Sequence, residues 1–256
     1  MSTDWLGLLH DVADAVARAL PTVSDLGPSG RRDGQYALDL VADAAALDVL
    51  ARADVGVLSE ESGLRLVPGR ATVVIDPVDG STNCSRGVPW FATSTCVVDG
   101  DGPAAALVVN QASGERWSAT RGGGAWRDGV AIRPSGCTAL GSAIVGISAA
   151  PPPAPGWAQF RALGAAALDL CLVAAGVLDG FVDFGVDQHG AWDYLGGMLI
   201  CQEAGAVVGD AHGRDLVVVE HAARRTPVAA ATPSLHAALL DVRVRSNPEP
   251  PVNGRR

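Results

Sequence analysis

The sequence predicts a layered α/β chain of the α+β kind, organised as two subdomains. Three observations carry this. Two amphipathic helical patterns open the chain, a long run of short β-rich segments divided by Gly- and Asp-rich turns follows, and after a proline-rich break helix and strand patterns alternate. The chain has 256 residues, 48% hydrophobic and 18% charged, which supplies a large core and excludes a disordered polymer.

Residues 4–20 place Trp5, Leu8, Leu9, Val12, Val16 and Leu20 at helical spacing, with Asp4 as cap and Pro21 as stop. Residues 22–34 form a Pro/Gly/Ser/Arg loop. A second helix over 37–53 sets Leu40, Ala44, Leu47 and Leu50 on one face. Strands are expected at 55–59, 71–76, 91–98, 104–110, 115–119 and 130–133. The glycine-rich segment 121–129 reads as a hairpin.

The run Pro151-Pro152-Pro153-Ala154-Pro155-Gly156 cannot be regular structure. Near it lie an expected strand at 143–148 and a helix at 165–178, then a strand at 180–184 and a helix at 192–204. Strands at 206–208, 216–219 and 227–231 and a helix at 233–241 complete the ordered chain. The subdomains are accordingly 1–138 and 139–245, with a frayed tail at 246–256.

All 19 basic residues are arginine, and the formal charge of −9 argues against a nucleic-acid polymer as partner. Five cysteines form no CxxC pair, which fits reduced thiols in a cytoplasmic protein. No apolar run approaches membrane-spanning length, and no leader pattern opens the sequence, so no membrane association is expected.

The chemistry concentrates in Val73-Val74-Ile75-Asp76-Pro77-Val78-Asp79-Gly80-Ser81-Thr82-Asn83. A buried strand delivers Asp76 to its end, and a turn brings Asp79 back toward it. Two convergent carboxylates repel and lose hydration on burial, so they favour a divalent cation between them. Glu60, in Ser59-Glu60-Glu61-Ser62-Gly63, follows the apolar run 55–58. Asp193 opens the apolar helix Trp192-Asp193-Tyr194-Leu195-Gly196-Gly197. Taken singly, Glu60-Glu61 reads equally as a solvated loop, and Asp193 as a helix cap. Together they bring four carboxylates from three segments, which is how multi-ion hard-cation sites are assembled.

Residues 75–83 resemble the first signature of the inositol monophosphatase family. Residues 192–200, continuing to Glu203-Ala204-Gly205, resemble its second, and Glu60-Glu61-Ser62 lies upstream as that family requires. Weaker similarities run through the Asp39/Asp43 helix, Gly122-Gly123-Gly124-Ala125 and Arg161-Ala162-Leu163-Gly164-Ala165-Ala166. The resemblance implies an αβαβα layered fold and a magnesium-dependent phosphomonoesterase using metal-activated water without a covalent intermediate. It implies one ion on Glu60, Asp76 and the Val78 carbonyl, and a second on Asp76, Asp79 and Asp193. A third, looser ion would share Glu60. By the same resemblance Ser81 with Glu60 orients the attacking water. Gly80, Ser81 and Thr82 meet the phosphate, Gly164 and Ala165 line the substrate pocket, and Asp43 stands behind the metal ligands. A homodimer is implied too.

Departures from the family concern substrate more than reaction. An insertion shifts the acidic residue that relatives use for substrate hydroxyls, leaving Asp183, Asp187 and His189 as candidates, with Asp187 preferred. Arg31 and Arg32 stand where relatives carry a basic loop residue. Inositol-1-phosphate is the default substrate. Histidinol phosphate, fructose 1,6-bisphosphate and 3′-phosphoadenosine 5′-phosphate are alternatives, as is a catalytically silent regulatory or binding member. A metal-dependent nucleotide-sugar transferase would need a G-x-G-x-x-G after a strand, which the sequence lacks.

Overall fold

The computed structural model of the chain describes residues 4–32 and 34–246. Its elements are α1 (Trp5–Ala19), α2 (Ala37–Leu50), β1 (Gly56–Ser59), β2 (Gly63–Arg65), β3 (Thr72–Asp79), α3 (Ser81–Arg86), β4 (Ala92–Asp99), β5 (Gly102–Asn110), β6 (Arg116–Thr120), β7 (Ala125–Arg127) and β8 (Val130–Ala131). There follow β9 (Ile144–Ser148), β10 (Gln159–Arg161), α4 (Ala166–Ala174), β11 (Gly180–Asp183), α5 (Ala191–Ala204), β12 (Val207–Asp210), β13 (Pro227–Ala230) and α6 (Pro233–Ser246).

An eight-stranded sheet runs β2-β1-β3-β4-β5-β6-β7-β8, and a five-stranded sheet runs β10-β9-β11-β13-β12. Side-chain alternation along the strands sorts their residues into layers. On the first sheet, Val73, Ile75, Val97, Leu107 and Val109 meet Leu9, Val12, Val16, Leu38 and Leu50 of α1 and α2. Val74, Cys96, Ala106 and Val108 point the other way, into a core shared with α4, α5 and Phe181 of the second sheet. On the far face of that second sheet, Val145, Val182 and Val228 pack against Leu235 and Leu239 of α6. The order helix–sheet–helix–sheet–helix follows, an αβαβα sandwich. Both faces of the central strands are therefore covered, which is why β3 reads as an unbroken apolar run.

Helix α5 sits at the centre, and its glycines permit that position. A Cβ on Gly197 would lie 2.6 Å from Leu170 Cβ, and one on Gly196 would lie 2.9 Å from Ser94 Oγ. At the other end of α5, the Glu203 carboxylate accepts bonds from the N–H groups of Gly122 (2.8 Å) and Gly124 (3.0 Å). That contact ties the β6–β7 turn to the helix and accounts for the Glu and the glycines together.

Several expectations need correction. The run 216–219 is not a strand. Leu216 and its neighbours pack under the central layer, while β12 and β13 pair directly with each other. The expected turn after Asp76 is instead a bulge within β3, between the pairs Asp76↔Ser94 and Asp79↔Ala92. The helix from 165 ends at Ala174 rather than 178, and α6 runs on to Ser246. Strands β2 and β10 carry no alternating apolar signal because both are exposed edges. Beyond Ser246 the expected tail lies outside the described residues. Among the described residues, no helix is long and apolar enough to cross a membrane.

Gly197→Val should cost about 1–3 kcal/mol through overpacking against Leu170 and the Ala167 carbonyl. Gly100→Ala, with open space around its Cβ, should be close to neutral. Urea unfolding midpoints check both, and equal midpoints would mean the α4–α5 contact is not tight.

Candidate metal centre

Local sequence places each acidic group. Strand β1 ends at Ser59 and leaves Glu60 at its carboxyl end. The bulge of β3 turns Asp76 and Asp79 toward one region, and α5 brings Asp193 in its first turn. Glu60, Asp76 and Asp193 each offer a ligand oxygen, and the three lie within 4.8 Å of one another. Backbone amides fix part of three of the four carboxylates. Val78 N–H donates to Asp76 Oδ1 (2.9 Å), Ala167 N–H to Asp79 Oδ2 (2.7 Å) and Gly190 N–H to Asp193 Oδ2 (2.7 Å). Asp193 is thus the third residue of its helix, bonded back to the cap residue Gly190, and not itself the cap.

Burial raises the pKa of Asp76 well above the carboxylate range, with Glu60 and Asp79 adding repulsion. Asp79 is raised by burial and by Asp193. Glu60 is pushed up to about 8, by desolvation first and then by Asp193 and Glu61. This is a centre short of positive charge, made of hard oxygen donors, and it suits a hard divalent cation. At the edge of the centre, half-exposed Arg32 reaches Glu60 Oε1 at 3.5 Å and Glu61 Oε2 at 3.0 Å. Glu61 also accepts from Gln35, so it belongs to the loop and not to the cluster.

The chain after the bulge also follows from its residues. Gly80 has φ +85°, and a Cβ there would come within 3.0 Å of the Gly164 carbonyl and 3.2 Å of Ala165 Cβ. That close approach sets α3, with Ser81 and Thr82 at its start, against the 164–166 segment. Asn83 locks the junction by donating to the Trp90 and Leu163 carbonyls (2.7 and 2.8 Å). Gly164 and Ala165 then line a cavity of about 150 Å³, together with Asp79, Asp169, Phe181, His189 and Asp193.

The remaining residues separate. Asp43 accepts bonds from Ser59 Oγ (2.6 Å) and Ser62 Oγ (3.5 Å), which braces the turn carrying Glu60. Val78 lies in the bulge, where its carbonyl falls outside the regular ladder. Asp187 does not join the cluster: its side chain bonds Arg214 Nη2 at 2.7 Å, on the surface. Asp183 is buried at the end of β11, and His189 lies between it and Asp193. Burial disfavours charge on the His189 ring, yet Asp193 and Asp183 together push its pKa up to about 9.

One residue entered the sequence reading only through a weaker family similarity of its helix. Asp39, buried near the start of α2, accepts the Tyr36 N–H at Oδ2 (2.8 Å), while its Oδ1 has no partner. Desolvation raises it to about 7, with Glu61 adding to the rise, while Arg32 and the nearby Ser81 hydroxyl oppose it. In the sequence its place near the start of a helix made it indistinguishable from a capping-box acid.

Fold and acidic centre together define a metal-dependent phosphatase. The family model of the Inositol monophosphatase family matches residues 10–247, and the chain belongs to that family, whose members hydrolyse phosphate monoesters. It is 32% identical over 222 residues to an inositol-1-monophosphatase of Mesorhizobium japonicum, covering 78% of this chain and 81% of that one. It is 31% identical over 251 residues to a fructose-1,6-bisphosphatase/inositol-1-monophosphatase of Archaeoglobus fulgidus, covering 93% and 98%. The crystal structure of the extragenic suppressor protein suhB from Bartonella henselae superposes with a TM-score of 0.80 at 25% identity, covering 94% and 98%.

The raised carboxylates make a stability prediction for the metal-free protein. At a given pH between the unfolded and folded pKa values, the folded chain still holds protons that the unfolded chain has released. Stability therefore falls as pH rises above about 4, the unfolded carboxylate range, and on through the value of about 8 for Glu60. His189, also raised, extends the same trend, while the lowered His10 and His236 oppose it below about pH 6.5. Urea midpoints in a chelator should decline across this window and flatten with saturating magnesium. A midpoint that climbs instead would mean the carboxylates do not repel in the folded state.

Proposed function

We propose that this chain is a magnesium-dependent phosphomonoesterase acting on small polyol or sugar phosphates, with inositol-1-phosphate as its default substrate. The observation that carries the reading is the convergence of Glu60, Asp76 and Asp193 within 4.8 Å, beside a small cavity walled by Gly164 and Ala165. Glu60, Asp76 and the Val78 carbonyl would hold one ion, and Asp76, Asp79 and Asp193 the second. When bound, magnesium supplies a lowered pKa for water and neutralises charge on the phosphate and the departing alkoxide.

The chain's own groups do the rest. The amides at the start of α3, from Gly80 to Thr82, point at the phosphate oxygens. Ser81 Oγ and Glu60 orient the attacking water. Asp39, ionising near neutrality with an unpartnered buried oxygen, accepts the proton that water loses, with the Ser81 hydroxyl between them. Attack is in line, forming the new P–O bond as the ester P–O bond breaks; the alkoxide that leaves takes its proton from solvent water. The full set of carboxylates and the Ser81 hydroxyl weighs against a silent regulatory member.

A phosphate-release screen with magnesium over the four candidate substrates should give turnover on inositol-1-phosphate, lost by about 100-fold or more in Asp79→Asn. Equal release by parent and variant on every compound would end the catalytic reading. Calorimetric magnesium affinity should weaken in Asp193→Asn, and unchanged binding would remove Asp193 from the site. Asp39→Asn should lower kcat by about 100-fold with KM little changed. A variant with kcat intact would strip Asp39 of the proton.

A further inference from the structure

We propose that His189 is a positioning residue for Asp193, held between that ligand and the buried Asp183 carboxylate. The inference rests on the metal reading above. His189 Nδ1 lies 3.4 Å from Asp193 Oδ2, and its Nε2 lies 3.7 Å from Asp183 Oδ2. Both His189 Nε2 and Asp183 Oδ2 are buried polar atoms with no hydrogen-bond partner among the described residues, so each has only the other to face. Asp193 Oδ2 is occupied by the Gly190 N–H and by the imidazole, while Oδ1 accepts no hydrogen bond from described residues. The ring therefore commits one oxygen of Asp193 and leaves the other for a cation.

Independent contacts hold the imidazole there. Its backbone forms an isolated bridge with Arg225, through Arg225 N–H to the His189 carbonyl at 2.9 Å and His189 N–H to the Arg225 carbonyl at 3.4 Å. The ring stands edge-on to Phe181, at 6.5 Å between centroids and 64° between planes. Asp183 is fixed in turn. Its Oδ1 accepts the Gly185 N–H at 2.7 Å, and the buried Arg243 of α6 donates to the carbonyls of Asp183 (2.6 Å) and Gly185 (2.7 Å). A continuous path thus runs from the C-terminal helix through Asp183 and His189 to the metal ligand.

The test is magnesium titration by calorimetry, without substrate, on His189→Leu, His189→Asn and Asp183→Asn, each checked by its unfolding midpoint. His189→Leu should weaken magnesium binding about 10- to 100-fold, with His189→Asn partly restoring it and Asp183→Asn giving a smaller loss of the same sign. In Asp183→Asn, whose side chain does not line the cavity, substrate KM at saturating magnesium should move less than about threefold. Magnesium affinity within about twofold of the parent in the folded variants would overturn the proposal. So would a large rise in KM with metal affinity unchanged, which would make His189 a substrate contact. Asp193→Asn separates the two levels. If it weakens binding and the His189 variants do not, only this inference fails; if it too is silent, the metal reading fails.

Discussion

The rest of this structure depends on a repulsion. Glu60, Asp76, Asp79 and Asp193 are drawn from two strand ends and a helix into one region where Asp76 and Asp79 are buried and Glu60 and Asp193 only partly reach solvent. Left ionised and alone they would push apart, since like charges at such range in a protein interior cost several kcal/mol. The fold meets this in two ways. Backbone amides from the β3 bulge, α4 and α5 neutralise part of three carboxylates, and the rest stays open to a cation. Much of the local backbone is explicable as service to that arrangement: the bulge, the left-handed Gly80, the close approach of Gly164.

The layers explain how elements so far apart in the chain can meet. Helix α5 lies between the two sheets because Gly196 and Gly197 remove the side chains that would hold it off. Its first turn then reaches the carboxyl ends of β1 and β3. Asp39 comes from the outer helical layer, on the other face of the first sheet, so the centre draws on three layers of five. Glu203 at the far end of α5 clamps a hairpin of the same sheet, and the helix is thereby held at both ends.

Sequence made much of this legible. The strand–carboxylate–Pro–carboxylate–Gly run and the Trp192-Asp193 helix are local patterns whose chemistry is unusual enough to stand out, and their resemblance to one family supplied the layer order. The existence of the helices and buried strands was readable from periodicity, but the face of α2 was not: Leu38, Ala42, Ala46 and Leu50 are buried while Ala44 is exposed. What stayed hidden depends on contacts between distant segments. The apolar run 216–219 looks like a strand because sequence cannot show that the neighbouring strands already have partners. Asp187 outranked Asp183 on sequence, but Arg214 takes it to the surface. Asp39 was masked by the ordinary role of an acid at a helix start, and His189 was legible only as a substrate candidate, because sequence does not show the turn that sets it between Asp183 and Asp193.

The separation of Asp193 from the other ligands along the chain has a consequence for synthesis. While the first sheet has emerged from a ribosome and α5 has not, Glu60, Asp76 and Asp79 are present without the helix that completes their set. Burying them then would gather negative charge with an incomplete ligand shell, so the carboxyl end of the first sheet gains little from closing early. A cation held by this set would therefore have its full shell only once the central helix layer has docked.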